Sequence, residues 1–291
     1  MQIPDSSVPI ERPCLYLVAT PIGNLSDITL RALAVLAACD LIFAEDTRTS
    51  RRLLDHYAID RPITAVHEHN ERDIAARLVH RIADEQLAVA LVSDAGTPLI
   101  SDPGYPLMQA ALEAGLTVRP VPGASAVLAA LCVSGLPSDR FAFEGFLPAK
   151  EHAARAALGE LARESRTLIF FESPRRVRRT LVLLQEAFGP TRPVAVAREL
   201  TKLHETVYRG ELAAVATLIE QDTFGSTGEF VLVVAPAPPS PKGEEGIRTM
   251  LQALAPHLPR SRAVEVTTHV LACPRNEVYR IALTLTDAFV R

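Results

Sequence analysis

AVALVSDAGTPLISDPGYPLMQAALEAGLTVRPV, residues 88–121, carries the decision about the fold. Its first five residues are apolar without alternation, the mark of a strand buried on both faces. A loop over 93–106 follows, holding two Asp, two Gly and three Pro. From 105 to 114 the apolar residues return at helical spacing, and VRPV (118–121) reads as a second strand. A strand, a helix and another strand in succession read as a βα unit of a mostly parallel sheet.

Upstream, the same reading gives strands LYLVA (15–19), LIFA (41–44) and TAV (64–66). In the first intervening helix Leu30, Leu33, Ala34 and Ala37 fall at i, i+3, i+4 and i+7, with Ser26 ahead as N-cap. Further helices are expected at 48–57, 72–85 and 124–133. Residues 1–134 therefore read as an α/β domain with a mostly parallel sheet. Downstream the strands are 141–146, 167–171, 193–197, 204–209 and 229–235, with helices at 151–164, 174–188 and 211–221. Two of these strands follow one another without a helix, which makes 135–235 a second α/β domain with a mixed sheet. A Pro-rich stretch over 236–246 reads as a semi-rigid linker. Residues 247–291 hold no strand signal and divide into helices at 247–256, 260–270 and 275–289, a small helical module. In the last of these Val278, Ile281, Ala282 and Leu285 form an apolar stripe that leaves Arg275 and Arg280 off it.

Composition excludes several classes. With 291 residues, 48% apolar and 22% charged, the chain can build sizeable cores and is not disordered overall. No run reaches the roughly 18 apolar residues of a membrane span, and the N-terminal residues lack a secretory pattern, so a cytoplasmic protein is expected. The four cysteines are scattered without a CxxC pair, against both structural zinc and a disulfide framework. Formal charge is −6 over 1–123, zero over 124–241 and +2 over 242–291, which suits an acidic catalytic front followed by parts able to touch a polyanion.

In open α/β sheets ligands bind beyond the carboxyl ends of the strands. Three such ends here carry glycine: ATPIGNLSD (19–27), the loop 93–106, and PGAS (122–125). Together they predict a floor of backbone N–H and C=O groups. The GxGxxG dinucleotide pattern is missing, which speaks against NAD.

TPIGNL (20–25), AEDTRTSRRLL (44–54), HEHNE (67–71), SDAGTPLISDPG (93–104), PGASA (122–126), FFESPRR (170–176) and RELTKLHE (198–205) resemble, in order and spacing, the ribosomal RNA small subunit methyltransferase I family. That family belongs to the tetrapyrrole-methylase-like class of S-adenosylmethionine enzymes. The resemblance implies two α/β domains with the cofactor cleft between them, plus a small C-terminal helical module. It also implies a homodimer that 2′-O-methylates a cytidine ribose of 16S ribosomal RNA in the decoding centre of the 30S subunit, cytidine 1402 by family precedent. By motif, the S-adenosylmethionine-binding positions fall on Thr20, Pro21, Gly23 and Asn24, on Asp94, Ala95 and Gly96, on Gly123, Ala124 and Ser125, and on Phe171. In the tail this chain departs from the family at Ala272 and Cys273, where a small polar or glycine-bearing turn is expected, and has Arg275-Asn276 where Lys-Lys is usual.

A pocket of backbone polar groups and a few carboxylates suits a sulfonium cofactor better than a phosphate cradle does. A ribose hydroxyl is a weak acid, so a base within reach aids transfer. Candidates are Glu45, Asp46, Glu172, and Lys202 if burial lowers its pKa. Arg48, Arg51 and Arg52 at i, i+3, i+4, and Arg175 and Arg176 with Arg178 and Arg179 at one helix start, are candidate phosphate contacts, as are Arg275 and Arg280. His67, Glu68 and His69 lack a third ligand at suitable spacing and read as a loop or substrate contact rather than a metal site. Two rival readings stay open: a sister enzyme methylating carbon atoms of a tetrapyrrole precursor, and a non-catalytic RNA-binding factor using the helical tail.

Overall fold

The computed structural model describes residues 9–67, 71–225, 227–238, 243–285 and 289–290. Glu68 and His69 lie outside the described residues. The chain forms two compact units, divided after Pro236.

The first unit opens with β1 (Cys14–Val18), a 3₁₀ turn at Leu25–Asp27 and α1 (Leu30–Ala38). The helix starts later than Ser26 suggests. Asn24 accepts from the Ser26 amide and caps the 3₁₀ turn, so Thr29 becomes the N-cap of α1 and accepts from the Ala32 amide at 3.0 Å. Then follow β2 (Leu41–Ala44), α2 (Thr47–His56), β3 (Ile63–Ala65), α3 (Glu71–Asp84), β4 (Ala88–Val92), α4 (Tyr105–Glu113), β5 (Thr117–Val121) and α5 (Ala126–Ser134). The five strands pair in the order β3-β2-β4-β1-β5, all parallel. Both faces are covered, which is why β2 and β4 are buried at every residue. One core gathers around Leu33, Leu36 and Ile42, the other around Phe43, Ile82 and Leu107.

The chain continues through β6 (Phe141–Phe146), α6 (Glu151–Leu161), β7 (Thr167–Glu172), α7 (Val177–Phe188), β8 (Pro193–Arg198), β9 (Thr206–Glu211), α8 (Leu212–Gln221) and β10 (Phe230–Val234). This second sheet has the order β6-β7-β10-β8-β9, with only β6 and β7 parallel. One face packs under α6, α7 and α8 around Leu158, Phe170 and Leu184. The other face packs against α5, whose Val127, Ala130 and Leu131 meet Ile169, Ala195 and Val233. The helix that ends the first stretch of α/β sequence thus belongs to the core of the second sheet, and the two sheets share one unit.

The second unit holds α9 (Gly243–Leu254), α10 (Arg260–Leu271) and α11 (Arg275–Leu283) around Ile247, Leu251, Val264, Val278 and Ile281. Helix α9 begins inside the stretch expected to be linker. Helix α11 ends well short of the expected 289, because the Thr284 hydroxyl donates to the Ile281 carbonyl at 2.7 Å and replaces the next helical bond. Ala272 ends α10 with φ at 48°, a left-handed conformation in which glycine is the usual residue. Among the described residues no helix is long and apolar enough to cross a membrane.

Candidate active site

The strand order of the first sheet sets β1 between β4 and β5, so the loops after these three strands open side by side. Thr20 and Gly96 exchange backbone hydrogen bonds at 2.8 and 3.1 Å, stitching the first loop to the second. The Thr20 hydroxyl donates to the Ser93 carbonyl at 3.3 Å, and the Thr97 hydroxyl donates to the Ala124 carbonyl at 3.2 Å, which brings in the third loop. Gly123 is pressed on Ala19: a Cβ there would stand 3.0 Å from the alanine's own. Leu99 and Ser101 adopt left-handed backbones, at φ 74° and 65°, an arrangement that costs on the order of 1–3 kcal/mol per residue and clusters at functional sites. Buried Glu71, the last residue of HEHNE, supports this loop from below by accepting from the Gly104 amide at 2.5 Å.

Two adjoining cavities open above this floor. The first, about 350 Å³, lies between Gly96, Asp102 and Ser125 of the first sheet's loops and Phe146, Phe171 and Val231 of the second sheet. Its acidic lining residues are Asp102, Glu229 and Glu172, the last with its side chain wholly buried, and no Lys or Arg is among the lining residues described. Phe171 packs edge-on against Phe143 and Phe146, with centroids 4.8 and 5.7 Å away. The second cavity, about 320 Å³, is bounded by the loop after β1, by one side of α2 and by Lys202. Ile22, Ala95 and Glu229 line both.

Lys202 stands at that common wall. Its Nζ donates to Glu199 at 2.8 Å and to Glu229 at 3.1 Å. Burial alone pulls its pKa down, but the two carboxylates outweigh burial and the net shift is upward. The expectation of a base-competent Lys202 is therefore corrected: it is a fixed cation. Its stem covers Gly23, where a Cβ would meet Lys202 Cγ at 2.5 Å.

The expected cofactor positions divide between the cavities. Ala95, Gly96, Ser125 and Phe171 line the first, while Thr20, Pro21, Gly23 and Asp94 line the second, with Ala95 common to both. Asn24 caps its turn, and Gly123 and Ala124 shape the floor without lining either. Among the candidate bases, Glu172 is 2% exposed and its oxygens accept from the Ser173 amide at 2.7 Å and the Thr180 hydroxyl at 2.6 Å, with Arg176 at 3.3 Å. Asp46 binds Arg48 at 2.7 Å, and that guanidinium holds its carboxyl down to about 2. Glu45 is raised by burial and by the neighbouring charges of Asp94 and Asp102.

The arginines also separate. Arg52 is exposed and lines the second cavity, and Arg51 lies within 3.7 Å of Asp60. Arg175 and Arg176 precede α7 instead of opening it; Arg175 is exposed, whereas Arg176 turns inward to the Leu147 carbonyl at 2.6 Å. Arg178 donates to the Glu220 carbonyl and Arg179 pairs with Glu151. Arg275 is exposed and Arg280 lies 3.3 Å from Glu244. Sequence reasoning missed Asp102, Glu199 and Glu229. The last two come together only because β10 pairs with β8, which lets the Glu199 amide donate to the Glu229 carbonyl at 3.0 Å. Among the described residues no cluster of His, Cys, Asp or Glu has the geometry to hold a metal ion.

Residues 14–216 match the family described as Tetrapyrrole (Corrin/Porphyrin) Methylases. A relative from Xylella fastidiosa, named ribosomal RNA small subunit methyltransferase I, is 49% identical over 91% of this chain and 97% of its own. Another of the same name, from Mesorhizobium japonicum, is 48% identical over 96% of this chain and 94% of its own. Among solved structures, the uroporphyrin-III C-methyltransferase of Thermus thermophilus in complex with S-adenosylhomocysteine shares the fold, with a TM-score of 0.53 at 20% identity over 76% of this chain and 96% of its own. Parallel sheet, mixed sheet and sequence kinship converge, and the chain belongs to the ribosomal RNA small subunit methyltransferase I family, within the tetrapyrrole methylase fold.

Proposed function

We propose that this chain transfers a methyl group from S-adenosylmethionine to the 2′-hydroxyl of a cytidine in 16S ribosomal RNA, acting as a cytoplasmic homodimer on the 30S subunit. The observation that carries this reading is the charge of the first cavity. Asp102 and Glu229, the latter paired with Lys202, line it with no Lys or Arg among the lining residues described, together with apolar and aromatic surface, while the Glu172 carboxylate is buried beside Arg176. Such a site repels phosphate and suits a ligand with a sulfonium, an ammonium and a flat heterocycle. The names of the relatives support the RNA substrate, and the ligand of the Thermus neighbour supports the cofactor.

When bound, the cofactor supplies an electrophilic methyl group. Everything else falls to the chain. The stitched loops after β1, β4 and β5 hold one partner still, and the wall shared by the two cavities sets where the other must arrive. Holding an acceptor oxygen about 3 Å from the carbon it attacks supplies much of the acceleration of an in-line displacement. Glu229 lies on that wall, oriented by Lys202, which Glu199 fixes in turn. A carboxylate there accepts the hydrogen of an incoming hydroxyl. Of the groups expected to act as base, Lys202 positions Glu229, Glu172 ties β7 to α7, Asp46 is committed to Arg48, and Glu45 lies off both cavities.

The test is transfer of labelled methyl from S-adenosylmethionine to unmodified 30S subunits, naked 16S RNA and a porphyrin precursor in parallel. Label at a cytidine whose 3′ linkage resists alkali is the expected result. Label on the porphyrin precursor alone would move the protein to the tetrapyrrole branch of its fold.

A further inference from the structure

The second cavity differs in chemistry from the first. It combines two carboxylates, Asp94 and Glu229, with Lys202, exposed Arg52 at its edge, and Ser50 on α2. Ser50 is 4% exposed, and its buried hydroxyl has no hydrogen-bond partner among the described residues. A hydroxyl in a helix ordinarily turns back to a carbonyl or out to water; this one does neither, and having no surface open to the cavity it meets a ligand there only by a change of rotamer. Asp94 Oδ1 accepts from the Asp46 amide at 3.1 Å, and its other oxygen has no bonded partner among the described residues. Arg48, the nearby cation, is occupied by Asp46.

Resting on the function proposed above, we propose that the second cavity is the pocket for the acceptor nucleoside, and that the Asp94 carboxylate with the Ser50 hydroxyl reads the amino edge of its base. A volume of about 320 Å³ suits one nucleotide drawn out of the RNA stack. Arg52 at the edge meets its phosphate. A free carboxylate oxygen accepts from the exocyclic amine of cytosine, whereas uracil presents a carbonyl oxygen there and is repelled. Turned into the cavity by a change of rotamer, the Ser50 hydroxyl can donate to or accept from the remainder of that edge. Asp94 is thereby a specificity-determining residue for the acceptor, although the motif around it marks it as a cofactor contact.

The experiment uses 30S subunits reconstituted with either cytidine or uridine at the nucleotide the parent enzyme methylates. For each pairing kcat/KM is measured, and S-adenosylhomocysteine affinity is measured by calorimetry. The parent favours cytidine by at least about tenfold. In Asp94→Asn the amide oxygen still accepts from the Asp46 amide, while an N–H₂ replaces the free oxygen. The preference falls to near unity or reverses, with cofactor-product affinity unchanged. Ser50→Ala raises KM for the subunit without lowering Tm, since it removes a hydroxyl the fold does not use. An unaltered cytidine preference in Asp94→Asn overturns the inference, and so does a loss of S-adenosylhomocysteine affinity matching the loss of activity, which would return Asp94 to the cofactor. Absence of transfer from the parent to either subunit would instead remove the function on which the inference rests, and the inference with it.

Discussion

Asp102, Asp94 and Glu45 are carboxylates whose pKa values are all raised. In each, burial is the largest cause, and a neighbouring carboxylate adds to it. For Asp102, Ser93 offsets part of the shift and Asp94 adds to it. The sign of the consequence is fixed by linkage. Between the ordinary aspartate value and its raised folded value, the native state binds more protons than the unfolded one, so stability falls as pH rises through that window. Above the window the loss is complete. Asparagine mimics the protonated form, so Asp102→Asn is expected to raise Tm by a few degrees at pH 7 and to change it little near pH 3. Thermal unfolding at the two pH values checks this, and a variant less stable than the parent at pH 7 would show that Asp102 is held by favourable partners instead. The gain in stability should accompany lost transfer, because carboxylates kept close together at some cost are a feature of sites selected for chemistry.

At the scale of elements, Glu172 decides how β7 meets α7. Its carboxylate ends the strand, accepts from the Ser173 amide and from Thr180 within the helix, and lies near Arg176 at the helix start. Thr180→Val removes one charge-assisted bond to a buried group and should cost about 1.5–3 kcal/mol in urea denaturation. A cost below about half a kcal/mol would free Glu172 for the catalytic role its motif suggests. The same scale shows what could be read from sequence alone. Strands LIFA and AVALV were legible to the residue because a strand covered on both faces has no polar position to blur its ends. Ser26 misled because Asn24 captures its amide first, a competition between neighbours that periodicity does not register. Helix α5 read as the end of the first domain, yet it packs on the second sheet; an almost wholly apolar helix does not say which surface it will cover. The loop 93–106, which the structure places along both cavities, was legible as a candidate from its density of Gly, Pro and Asp, whereas Glu199 and Glu229 were not, being joined only by the pairing of β8 with β10. Ala272 was visible as a departure before its cause was. Its left-handed backbone is the position where glycine relieves strain, so Ala272→Gly should stabilise the helical unit by about 1 kcal/mol. Unfolding of the full chain followed at probes within α9–α11 would check this, and destabilisation would mean that the alanine methyl packs usefully.

At the scale of the whole molecule, charge and site part company. Both cavities are lined by residues of the first unit, whose opening 123 residues carry a formal charge of −6, while the last 50 residues carry +2. On the function proposed above, an acidic region suits a cationic cofactor and does little to hold a polyanion, so RNA affinity would draw on separate cations. In α11 the apolar stripe of Val278, Ile281 and Ala282 is buried in the helical unit's own core, which leaves Arg275 and Arg280 on the solvent side. The Arg280 pair with Glu244 is 3.3 Å long with both partners more than half exposed, a contact worth little in water and readily exchanged for a phosphate. If the helical unit grips RNA, Arg275→Ala with Arg280→Ala should leave S-adenosylhomocysteine affinity within about twofold of the parent, as neither arginine is among the described residues that line the two cavities. Affinity for 30S subunits should fall. The plot of log K against log salt should become shallower by roughly 1.4, the release expected for two phosphate contacts on single-stranded RNA. An unchanged slope would mean that these arginines face only water, and the search for the RNA surface would then turn to Arg52 and Arg175 in the first unit, both exposed and one of them at the mouth of the second cavity.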